Sequence, residues 1–541
     1  MSQNRGTPVQ LFIECKNLVD LDFLSKSDPQ CFIYQTKRGG LRQLIGKTEV
    51  IQDNCNPKFS TSIPMIYHFE ENQYLDFEVF DIDVGSKNDF IGSLSCTLSE
   101  IMVSKGATFA GPLKLRSNTT KKRGMIYIHG EEKKEGNDGK LVFRVKGKRL
   151  AKKDLFGLSD PYLTISRVNE HGNYIKVFQT ETKKLTLNPS WAKVEVSLSK
   201  ICNGDINRPL KIEVWDWDRN SEDDFIGECE TTINQLQTQH IYKLTHPKKK
   251  KSQGTIKFKD VHLMIYKSFL DYLRGGTEIE LVVAVDFTQS NGPVGDPRSL
   301  HYLGNPGKMN SYQEAISAVG TILSYYDRDQ LYPMLGFGGE IYNGYNWNVS
   351  HCFSLNGNPN NPEVHGVNGM MGAYHQAVTN VKLYGPTLFQ HIISKGIQYA
   401  TQSSNNLKYT ILLIITDGVI NDESNTIKEI VKASRVPLSI IIVGVGNANF
   451  DSMDRLDGDD VILEDNMGNR ATRDIVQFVP FNKFKHNPEK LAAEVLEEVP
   501  GQLVEYMSQN NIDPPTPTTF NPPQVENNQG FKDFSPIAPP P

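Results

Sequence analysis

The feature that most restricts the fold of this chain is an internal repeat in its first half. The stretches VFDIDVGSKNDFIG (79–92) and VWDWDRNSEDDFIG (214–227) carry three aspartates at the same spacing, directly before Phe-Ile-Gly. Upstream of each stretch, the aspartate of an S-D-P triplet is followed 28 residues later by Asn-Pro. The copies are offset by 132 residues at S-D-P (Asp28 to Asp160) and by 135 at F-I-G (Phe90 to Phe225). A repeating unit of this size is a domain and not a short solenoid repeat.

The secondary structure expected in both copies is β. Runs such as QLFIECKNL (10–18), YLDFEVFDI (74–82) and LKIEVWDWD (210–218) are short and rich in β-branched and aromatic residues, and turn residues separate them. No long helical pattern lies between them. The sequence therefore predicts two antiparallel β-sandwiches.

The pattern changes near residue 277. The segments EIELVVAVDF (278–287), YTILLIITDG (409–418) and LSIIIVGVG (438–446) are almost continuously apolar, which is typical of strands buried on both faces of a parallel sheet. Between them, apolar residues in 312–326 recur at helical spacing, and an amphipathic stretch, PEKLAAEVLEEVPGQLVEYM, follows the last strand. Alternating strands and helices predict a doubly wound α/β domain.

These patterns divide the 541 residues into four segments. The chain is too long for a single core, because a chain of this length usually folds into about three or four domains. Residues 506–541 are rich in proline and asparagine, so we expect a disordered tail, either without function or serving as a proline-rich docking peptide. The predicted boundaries are 1–132 for the first sandwich, 138–268 for the second, 277–505 for the α/β domain and 506–541 for the tail.

Composition restricts the class of protein and its compartment. A net charge of −5 does not indicate nucleic-acid binding. The seven cysteines are scattered and odd in number, which favours a reducing cytosolic setting over a disulfide framework. The first residues, MSQNRGTPVQ, have no apolar signal-peptide core and no glycine after Met1. Apolar runs are far shorter than the roughly 20 residues of a membrane-spanning helix, so we expect any membrane role to be peripheral.

The repeated aspartates indicate a cation site at one end of each sandwich. Each copy combines two aspartates from the loop that ends in S-D-P with three from the D-x-D-x₅-D loop. Five carboxylates form a hard oxygen cage that suits Ca²⁺, which accepts 6–8 oxygens in flexible geometry. Without a cation, mutual repulsion should raise some of the carboxylate pKa values and loosen the loops. The predicted calcium ligands are Asp22, Asp28, Asp81, Asp83 and Asp89 in the first copy, and Asp154, Asp160, Asp216, Asp218 and Asp224 in the second.

Two other interpretations of these loops were weighed. An EF-hand loop needs glycine at position 6 and glutamate at position 12. Counting from Asp81 gives Ser86 and Gly92, and the second copy also has serine and glycine at these positions, so both fail. An ordinary solvated acidic turn remains the simple alternative, but two copies that match at five spaced positions disfavour it.

Apolar and basic residues lie next to the acidic loops, and the resemblance to C2 domains described below makes them candidates for contact with a membrane. Between the aspartates of the first loop lie apolar tips that either enter a membrane or pack against the sandwich: Phe23 and Leu24 in one copy, Leu155 and Phe156 in the other. Basic runs occur at 121–123, 146–153 and 248–251. Near an anionic leaflet each such charge contributes about 1 kcal/mol, although a charge run is often only a solvated face. Neutralising the aspartates would convert a lipid-repelling end into a lipid-attracting one.

The α/β domain has its own candidate metal site. Asp286, Thr288 and Ser290 alternate after the first buried strand, so their oxygens lie on one side of the chain. They follow the carboxyl end of a parallel strand, where ligands bind in such folds. Thr387, in LYGPT, and Asp417, in IITDG, come from later loops. The alternative is that these residues merely cap strands and helices.

Several motifs resemble known families. S-D-P, N-P-x-aromatic and D-x-D-x₅-D-F-I-G are similar to C2 domains of the calcium-binding type over residues 8–267, which implies calcium-dependent docking onto anionic phospholipid. The D-x-T-x-S pattern with Thr387 and Asp417 resembles the metal-ion-dependent adhesion site of von Willebrand factor A domains. Two carboxylates and three hydroxyls favour Mg²⁺ or Mn²⁺, with a coordination position open to a partner's acidic side chain.

The order of domains resembles the copine family over residues 8–505. Segments such as SFLDYLRGGTEIELVVAVDFTQSNG, LYGPT, LLIITDGVI and RDIVQFVPF are similar to copine segments. One departure, SNGPVGDPRSLHYLGNPGK (290–308), lies beside the metal loop and puts partner choice in doubt more than metal binding. The resemblance implies intracellular protein partners for the α/β domain.

An enzyme is the alternative class. GVGNAN is not G-x-G-x-x-G, and neither a phosphate-binding G-x-x-x-x-G-K-[ST] loop nor G-x-S-x-G or H-E-x-x-H occurs. A metal-dependent hydrolase or kinase-like activity at the α/β site stays as the alternative, without an evident general base. The sequence favours a non-enzymatic, cytoplasmic calcium sensor that moves to the plasma membrane and recruits partner proteins, with endosomal membranes and the nucleus as further locations.

Overall fold

The computed structural model describes the chain in fifteen segments. Within them, contacts divide the chain into two compact units. One contains Leu11–Glu131 and the chain from Leu270 onward, and the other contains Glu132–Phe269 with the beginning of the first strand. The described residues are 6–21, 26–37, 40–83, 87–115, 123–133, 139–153, 157–168, 174–202, 204–218, 222–249, 251–304, 307–402, 407–458, 462–485 and 487–515.

The first repeat folds into two four-stranded sheets. Their strand orders are β4-β1-β8-β7 and β3-β2-β5-β6, and β2 pairs antiparallel with both β3 and β5. A short helix, α1 (Leu98–Val103), begins at a capping box formed by Thr97 and Glu100. The strands are β1 (Thr7–Lys16), β2 (Pro29–Thr36), β3 (Arg42–Lys47), β4 (Ile63–Tyr67), β5 (Tyr74–Asp81), β6 (Asp89–Thr97), β7 (Thr108–Pro112) and β8 (Met125–Glu132).

The second repeat has the same topology. Its sheets run β12-β9-β16-β15 and β11-β10-β13-β14, which is the order of the first sandwich with eight added to each strand number. Its elements are β9 (Gly139–Lys148), β10 (Pro161–Val168), β11 (Tyr174–Gln179), β12 (Val194–Ser197), α2 (Leu198–Cys202), β13 (Leu210–Asp216), β14 (Asp224–Thr231), α3 (Ile233–Leu236), β15 (Ile241–Lys243) and β16 (Thr255–Ile265). The prediction of two antiparallel sandwiches is confirmed.

The α/β domain is built on one large sheet of order β21-β18-β17-β24-β25-β26, with β22 paired to β18. Strands β18, β17, β24, β25 and β26 are mutually parallel, whereas β21 and β22 are antiparallel to β18. A small separate sheet has the order β20-β19-β23. The strands are β17 (Glu278–Asp286), β18 (Leu331–Phe337), β19 (Gly339–Tyr342), β20 (Trp347–Ser350), β21 (Phe353–Ser354), β22 (Glu363–His365), β23 (Lys382–Leu383), β24 (Lys408–Thr416), β25 (Leu438–Gly444) and β26 (Val476–Pro480).

Helices pack in two groups on this sheet, which confirms the doubly wound class. Helix α5 packs with α6 and α10, and α7 packs with α8. Each residue of β25 and every residue of β24 after its first is buried, as expected for strands covered on both faces. The helices are α4 (Phe269–Arg274), α5 (Ser311–Leu323), α6 (Gly366–Asn380), α7 (Gln390–Gln402), α8 (Glu423–Ala433), α9 (Asp451–Leu456), α10 (Pro488–Leu496) and α11 (Val499–Gln509).

The helix boundaries follow local chemistry. Asn310 caps α5 through a capping box with Gln313, and the apolar side of the predicted 312–326 pattern is buried. The last amphipathic stretch divides into α10 and α11, with Pro500 in the first turn of α11. Proline has no amide hydrogen and disrupts a helix interior, so it favours the start of a new helix.

The described residues contain no disulfide. None of the described helices is long and apolar enough to cross a membrane.

Candidate metal and membrane sites

In the first sandwich, three of the predicted ligands meet at one edge of a sheet. Asp28 directly precedes β2, Asp81 ends β5, and Asp89 begins β6. In the strand register Pro29 lies opposite Asp81, and Asp81 lies opposite Asp89. The Asp28 amide donates to Asp81 Oδ1 at 2.6 Å, and the Asp53 amide donates to Asp28 Oδ1 at 2.7 Å. Backbone amides thus hold the carboxylates close together against their mutual repulsion.

The second sandwich repeats this arrangement. The Asp160 amide donates to Asp216 Oδ1 at 2.5 Å, and the Leu185 amide donates to Asp160 Oδ1 at 2.6 Å. Asp216 lies opposite Asp224 at the start of β14. Asp53 and Leu185 both have left-handed backbones, with φ of 53° and 51°, so these loops match in conformation although their sequences share only the following Asn-Pro. The repeat in the sequence is therefore a repeat of loop geometry.

Asp81 carries the clearest sign of a cation site. Its side chain is 1% exposed, and its Oδ2 has no hydrogen-bond partner among the described residues. A buried carboxylate oxygen without a partner costs free energy unless a cation or proton neutralises it. The donor set of carboxylate oxygens fits Ca²⁺.

Some predicted ligands and both predicted membrane tips lie outside the described residues: Asp22, Phe23, Leu24, Asp154, Leu155 and Phe156. Asp83 and Asp218 are half-buried, and Asp89 and Asp224 are exposed. Within the described part of the chain, no three His, Cys, Asp or Glu side chains are arranged to hold a metal ion. A complete cage at either loop end therefore stays a prediction.

The two loop ends differ in charge. In the second sandwich, Lys184 Nζ lies 2.8 Å from Asp160 Oδ2 and 3.4 Å from the centroid of the Trp217 ring. With the 132-residue offset of the repeat, Gln52 and Asp53 of the first sandwich stand where the second has Lys184 and Leu185. At these two positions the first loop end has Asp53 and no lysine, whereas the second has Glu222 and Asp223 where the first has Lys87 and Asn88.

Asp160 is not among the carboxylates whose pKa is raised. Burial raises the pKa of this carboxyl, but the Lys184 ammonium and the Leu185 amide outweigh burial, and the pKa is lowered overall. A side chain of the protein itself already neutralises part of this cluster.

The sequence did not single out an apolar group beside the second loop end. Leu158 is 42% exposed, Leu185 is 67% exposed and Trp217 is 37% exposed. A Cβ placed on Gly157 would lie 3.7 Å from Leu185 Cδ2, so this leucine adjoins the S-D-P loop. Trp217 between Asp216 and Asp218 was the available signal, because tryptophan favours membrane interfaces.

The basic runs have mixed roles. Arg123 donates to the carbonyls of Ile91 (2.6 Å) and Phe90 (2.9 Å), and Lys153 donates to the Phe225 carbonyl at 2.6 Å. These two cations therefore stabilise the D-F-I-G strands. Burial and the neighbouring Lys249 lower the pKa of Lys153, which shows that two of the basic runs meet here. Residues 121, 122 and 250 lie outside the described residues.

In the α/β domain, the predicted residues come together at the carboxyl ends of β17 and β24. Asp286 is fully buried, and its Oδ1 accepts hydrogen bonds from the Thr288 amide (2.8 Å) and hydroxyl (2.7 Å). Its Oδ2 accepts one from Thr416 Oγ1 at 2.6 Å. Thr416 was missed because we weighed only the aspartate that follows it.

Ser290, Thr387 and Asp417 complete the group. Ser290 Oγ donates to Asp417 Oδ1 at 2.8 Å and lies 2.9 Å from Thr288 Oγ1. A Cβ placed on Gly418 would lie 3.7 Å from Ser290 Oγ and 3.9 Å from Thr387 Oγ1. Both distances are ordinary van der Waals contacts, so the Ser290 and Thr387 hydroxyls both adjoin Gly418. Two carboxylates and three hydroxyls within this small volume fit a hard divalent cation.

The two carboxyl groups of this site are electrostatically coupled. Burial raises the pKa of Asp286. Burial and the negative charge of Asp286 raise the pKa of Asp417 to about 7. Without a cation, the pair therefore retains a proton to a higher pH than isolated aspartates do. Cation binding at such a pair should release that proton.

A buried histidine that the sequence analysis missed contacts the backbone of the candidate metal site. His301 lies between the rings of Phe287 and Tyr312, whose centroids are 5.0 Å and 4.3 Å away. Its Nε2 is 2.8 Å from the Asp286 carbonyl, and its Nδ1 is 2.8 Å from the Tyr374 hydroxyl. Burial lowers the pKa of His301 to about 4, so the ring is neutral and Nε2 donates to the carbonyl.

The segment 290–308, which the sequence analysis singled out beside the metal loop, supplies this histidine. Tyr312 Oη donates to Asn291 Oδ1 at 2.6 Å, and Asn291 Nδ2 donates to the Thr288 carbonyl at 3.2 Å. Together with His301, these contacts fix the backbone on both sides of Phe287. Residues of the segment 290–308 therefore hold the backbone of the candidate site in place.

The fold and these groups define a protein with two C2-type sandwiches followed by a von Willebrand factor A-like domain. The C2 domain family matches residues 10–113 and 139–247, and the Copine family matches residues 299–515. Copine-A of Dictyostelium discoideum is 43% identical over 94% of this chain and 85% of its own length. Copine-E of the same organism is 42% identical over 94% of this chain and 89% of its own length. The chain belongs to the copine family.

Among solved structures, the chain resembles one titled BON1-C2B. The two chains are 26% identical, and the match covers 24% of this chain and 94% of the chain in that structure, with a TM-score of 0.21.

Proposed function

We propose that this protein binds anionic phospholipid membranes in response to calcium, through both sandwiches. The observation that carries the proposal is the amide-held carboxylate pair, Asp28 with Asp81 and Asp160 with Asp216, at the same edge of both sandwiches. Membership of the copine family, with its C2 domains, supports it.

The electrostatics give a mechanism. The loop carboxylates repel an anionic lipid headgroup as long as their charge is not balanced. Ca²⁺ would be held by the aspartates at 22, 28, 81, 83 and 89 and by their counterparts at 154, 160, 216, 218 and 224, and it supplies positive charge there. The loop ends then become compatible with lipid phosphate, and nearby lysines add about 1 kcal/mol each near an anionic leaflet.

The second sandwich supplies apolar contact as well. Leu158, Leu185 and Trp217 lie next to its acidic loops and next to Lys184. A tryptophan and two leucines flanked by cations match a membrane interface, which has an apolar interior and anionic headgroups. The predicted tips Phe23, Leu24, Leu155 and Phe156 would extend this surface.

The two sandwiches are unequal in this proposal. Lys184 already compensates Asp160, and a calcium ion must compete with that ammonium group. The first sandwich has Gln52 at this position and so has no ammonium there for the ion to displace. We therefore assign the tighter calcium site to the first sandwich and the greater apolar contact to the second.

The α/β domain is the proposed partner-binding module. Asp286, Thr288, Ser290, Thr387 and Asp417 would hold Mg²⁺ or Mn²⁺, which supplies an open coordination position for an acidic side chain of an intracellular protein. We assign no catalytic role to these residues. The proposed setting is the cytoplasm, with movement to the plasma membrane or to endosomal membranes when calcium rises; a nuclear location stays a prediction.

The first prediction concerns the buried aspartates. Replacing both Asp81 and Asp216 by Asn should abolish calcium-dependent binding to phosphatidylserine-containing liposomes in a co-sedimentation assay. Asparagine keeps the Oδ1 that accepts from the Asp28 and Asp160 amides, so the fold should persist while the charge is lost. Asp260→Asn, in the middle of β16, removes a charge elsewhere and should behave as wild type. Calcium-dependent sedimentation of the double variant at the wild-type level would refute the proposal.

The second prediction tests the inequality of the sandwiches by a reciprocal exchange. In an Asp81→Asn background, Lys184→Gln should lower the calcium concentration for half-maximal liposome binding, because the competing ammonium is gone. In an Asp216→Asn background, Gln52→Lys should raise it. An exposed ion pair is worth up to about 1 kcal/mol, so each shift should reach about fivefold. If neither exchange moves the half-maximal concentration, Lys184 does not control the second site.

The third prediction concerns the α/β site. In EGTA, which removes calcium, Mg²⁺ should raise the melting temperature of the wild-type full chain, since an ion that binds only the folded state stabilises it. Asp417→Asn keeps the acceptor for Ser290 but should remove this stabilisation, while liposome binding stays at the wild-type level. Asp451→Asn, on the exposed side of α9, is the matched control. Equal stabilisation of the Asp417 variant by Mg²⁺ would contradict a metal site there.

A further inference from the structure

The first sandwich and the α/β domain, which belong to the same compact unit, meet at Tyr326. This residue lies in the turn between α5 and β18 and is almost fully buried. Its hydroxyl is 2.6 Å from the Tyr67 hydroxyl, 3.0 Å from Ser99 Oγ and 3.1 Å from the Phe69 carbonyl. The rings of Tyr326 and Phe69 are 4.6 Å apart. One side chain of the α/β domain is therefore inserted into a polar socket of the sandwich.

The socket is connected to the sheet of the α/β domain. The Ile279 amide, at the start of β17, donates to the Tyr326 carbonyl at 3.0 Å. Arg274 Nη2, at the end of α4, donates to the Gly130 carbonyl of the sandwich at 3.1 Å. Both contacts lie at the amino end of β17, whereas the candidate metal site lies at its carboxyl end. The contact with the sandwich is thus separate from the surface proposed for partners.

The next residue, Asp327, is an unusual carboxyl group. It is 3% exposed, and neither of its oxygens has a hydrogen-bond partner among the described residues. The hydroxyl of Tyr332, which is fully buried in β18, is likewise without a partner in the described part of the chain. A buried carboxylate left in this state costs several kcal/mol, so the group must be neutral or must move.

The charges around Asp327 oppose its ionisation. Asp329 of the same turn and Glu280 of β17 are negative, and Tyr332 of β18 carries no charge. Lys408 of β24 is positive, but it is already paired with Glu280. Burial and the negative charge of Asp329 raise the pKa of Asp327 to about 8.

We propose that the turn 324–330 is a proton-controlled latch between the α/β domain and the first sandwich. With its proton, Asp327 stays buried and Tyr326 remains in the socket formed by Tyr67, Phe69 and Ser99. When the proton leaves, the charge has no buried partner, and the nearest route to water lies beside Arg328 and Asp329, which are exposed. Because Asp327 follows Tyr326 directly, its movement withdraws Tyr326 and frees the sandwich.

The latch also has a thermodynamic consequence. The unfolded chain loses this proton near the ordinary aspartate value of 3.8, whereas the folded chain keeps it to about pH 8. Between these values the folded state binds more protons, so its stability falls as the pH rises. The side chain therefore opposes folding at neutral pH, which is expected of a switch and not of a structural aspartate.

The test measures the radius of gyration of the full chain by small-angle X-ray scattering between pH 6 and pH 9.5, in EGTA and without lipid. These conditions make the result independent of the proposed calcium and lipid binding. We expect wild type to expand as the pH rises through about 8. Asp327→Asn, which keeps the shape and has no proton to lose, should stay compact throughout.

Asp329→Asn is a second test variant, for which the proposal predicts the direction of the pH shift. It removes the nearest negative charge, so the pKa of Asp327 should fall and the expansion should shift to lower pH. Asp454→Asn, exposed on α9, should expand as wild type does. A wild-type chain that stays compact to pH 9.5, or an Asp327→Asn chain that expands like wild type, would overturn the latch.

Discussion

The arrangement on which the rest depends is a backbone amide that holds two carboxylates together. At the entry to β2 and again at the entry to β10, the amide of one aspartate donates to the side chain of another at the end of a neighbouring strand. This contact fixes Asp81 and Asp216 inside the protein, where a negative charge is costly. The paired aspartates are therefore held together by the backbone without an ion. Sequence, loop geometry and proposed calcium response are linked by this electrostatic imbalance.

The negative charge of clustered carboxylates is compensated differently at three places in the chain. The first loop end leaves Asp81 Oδ2 without a partner among the described residues, the second gives Asp160 the ammonium of Lys184, and the α/β site shares hydroxyl hydrogens among its carboxylates. Asp327 is a fourth case, in which a proton is the available counter-charge. In our proposals each of these carboxylate groups responds to a different effector. The effector is calcium for the sandwiches, a small divalent cation for the α/β site, and pH for the turn that contacts the first sandwich.

Much of the fold could be predicted from the sequence because its signals are local. Strand alternation, continuous apolar runs and the helical spacing in 312–326 specified both sandwiches, the parallel sheet and α5. The positions of Asp28, Asp81, Asp286 and Asp417 followed from strand ends, since ligand groups collect there. Lys184 and His301 could not be found in this way. Their roles depend on which distant residue the fold brings beside them, Asp160 across 24 residues and the Asp286 carbonyl across 15. Tyr326 and Asp327 likewise acquire their importance only from contacts with residues far away in the chain or on neighbouring strands.

The most direct measurement of the central claim is calorimetric titration of the full chain with calcium, in buffer that already contains Mg²⁺ and no lipid. The account requires calcium-specific heat with at least two classes of site, and a weaker or absent high-affinity class when the carboxylate of Asp81 is removed. An absence of heat up to millimolar calcium would mean that the paired carboxylates are structural and that the membrane response has another origin.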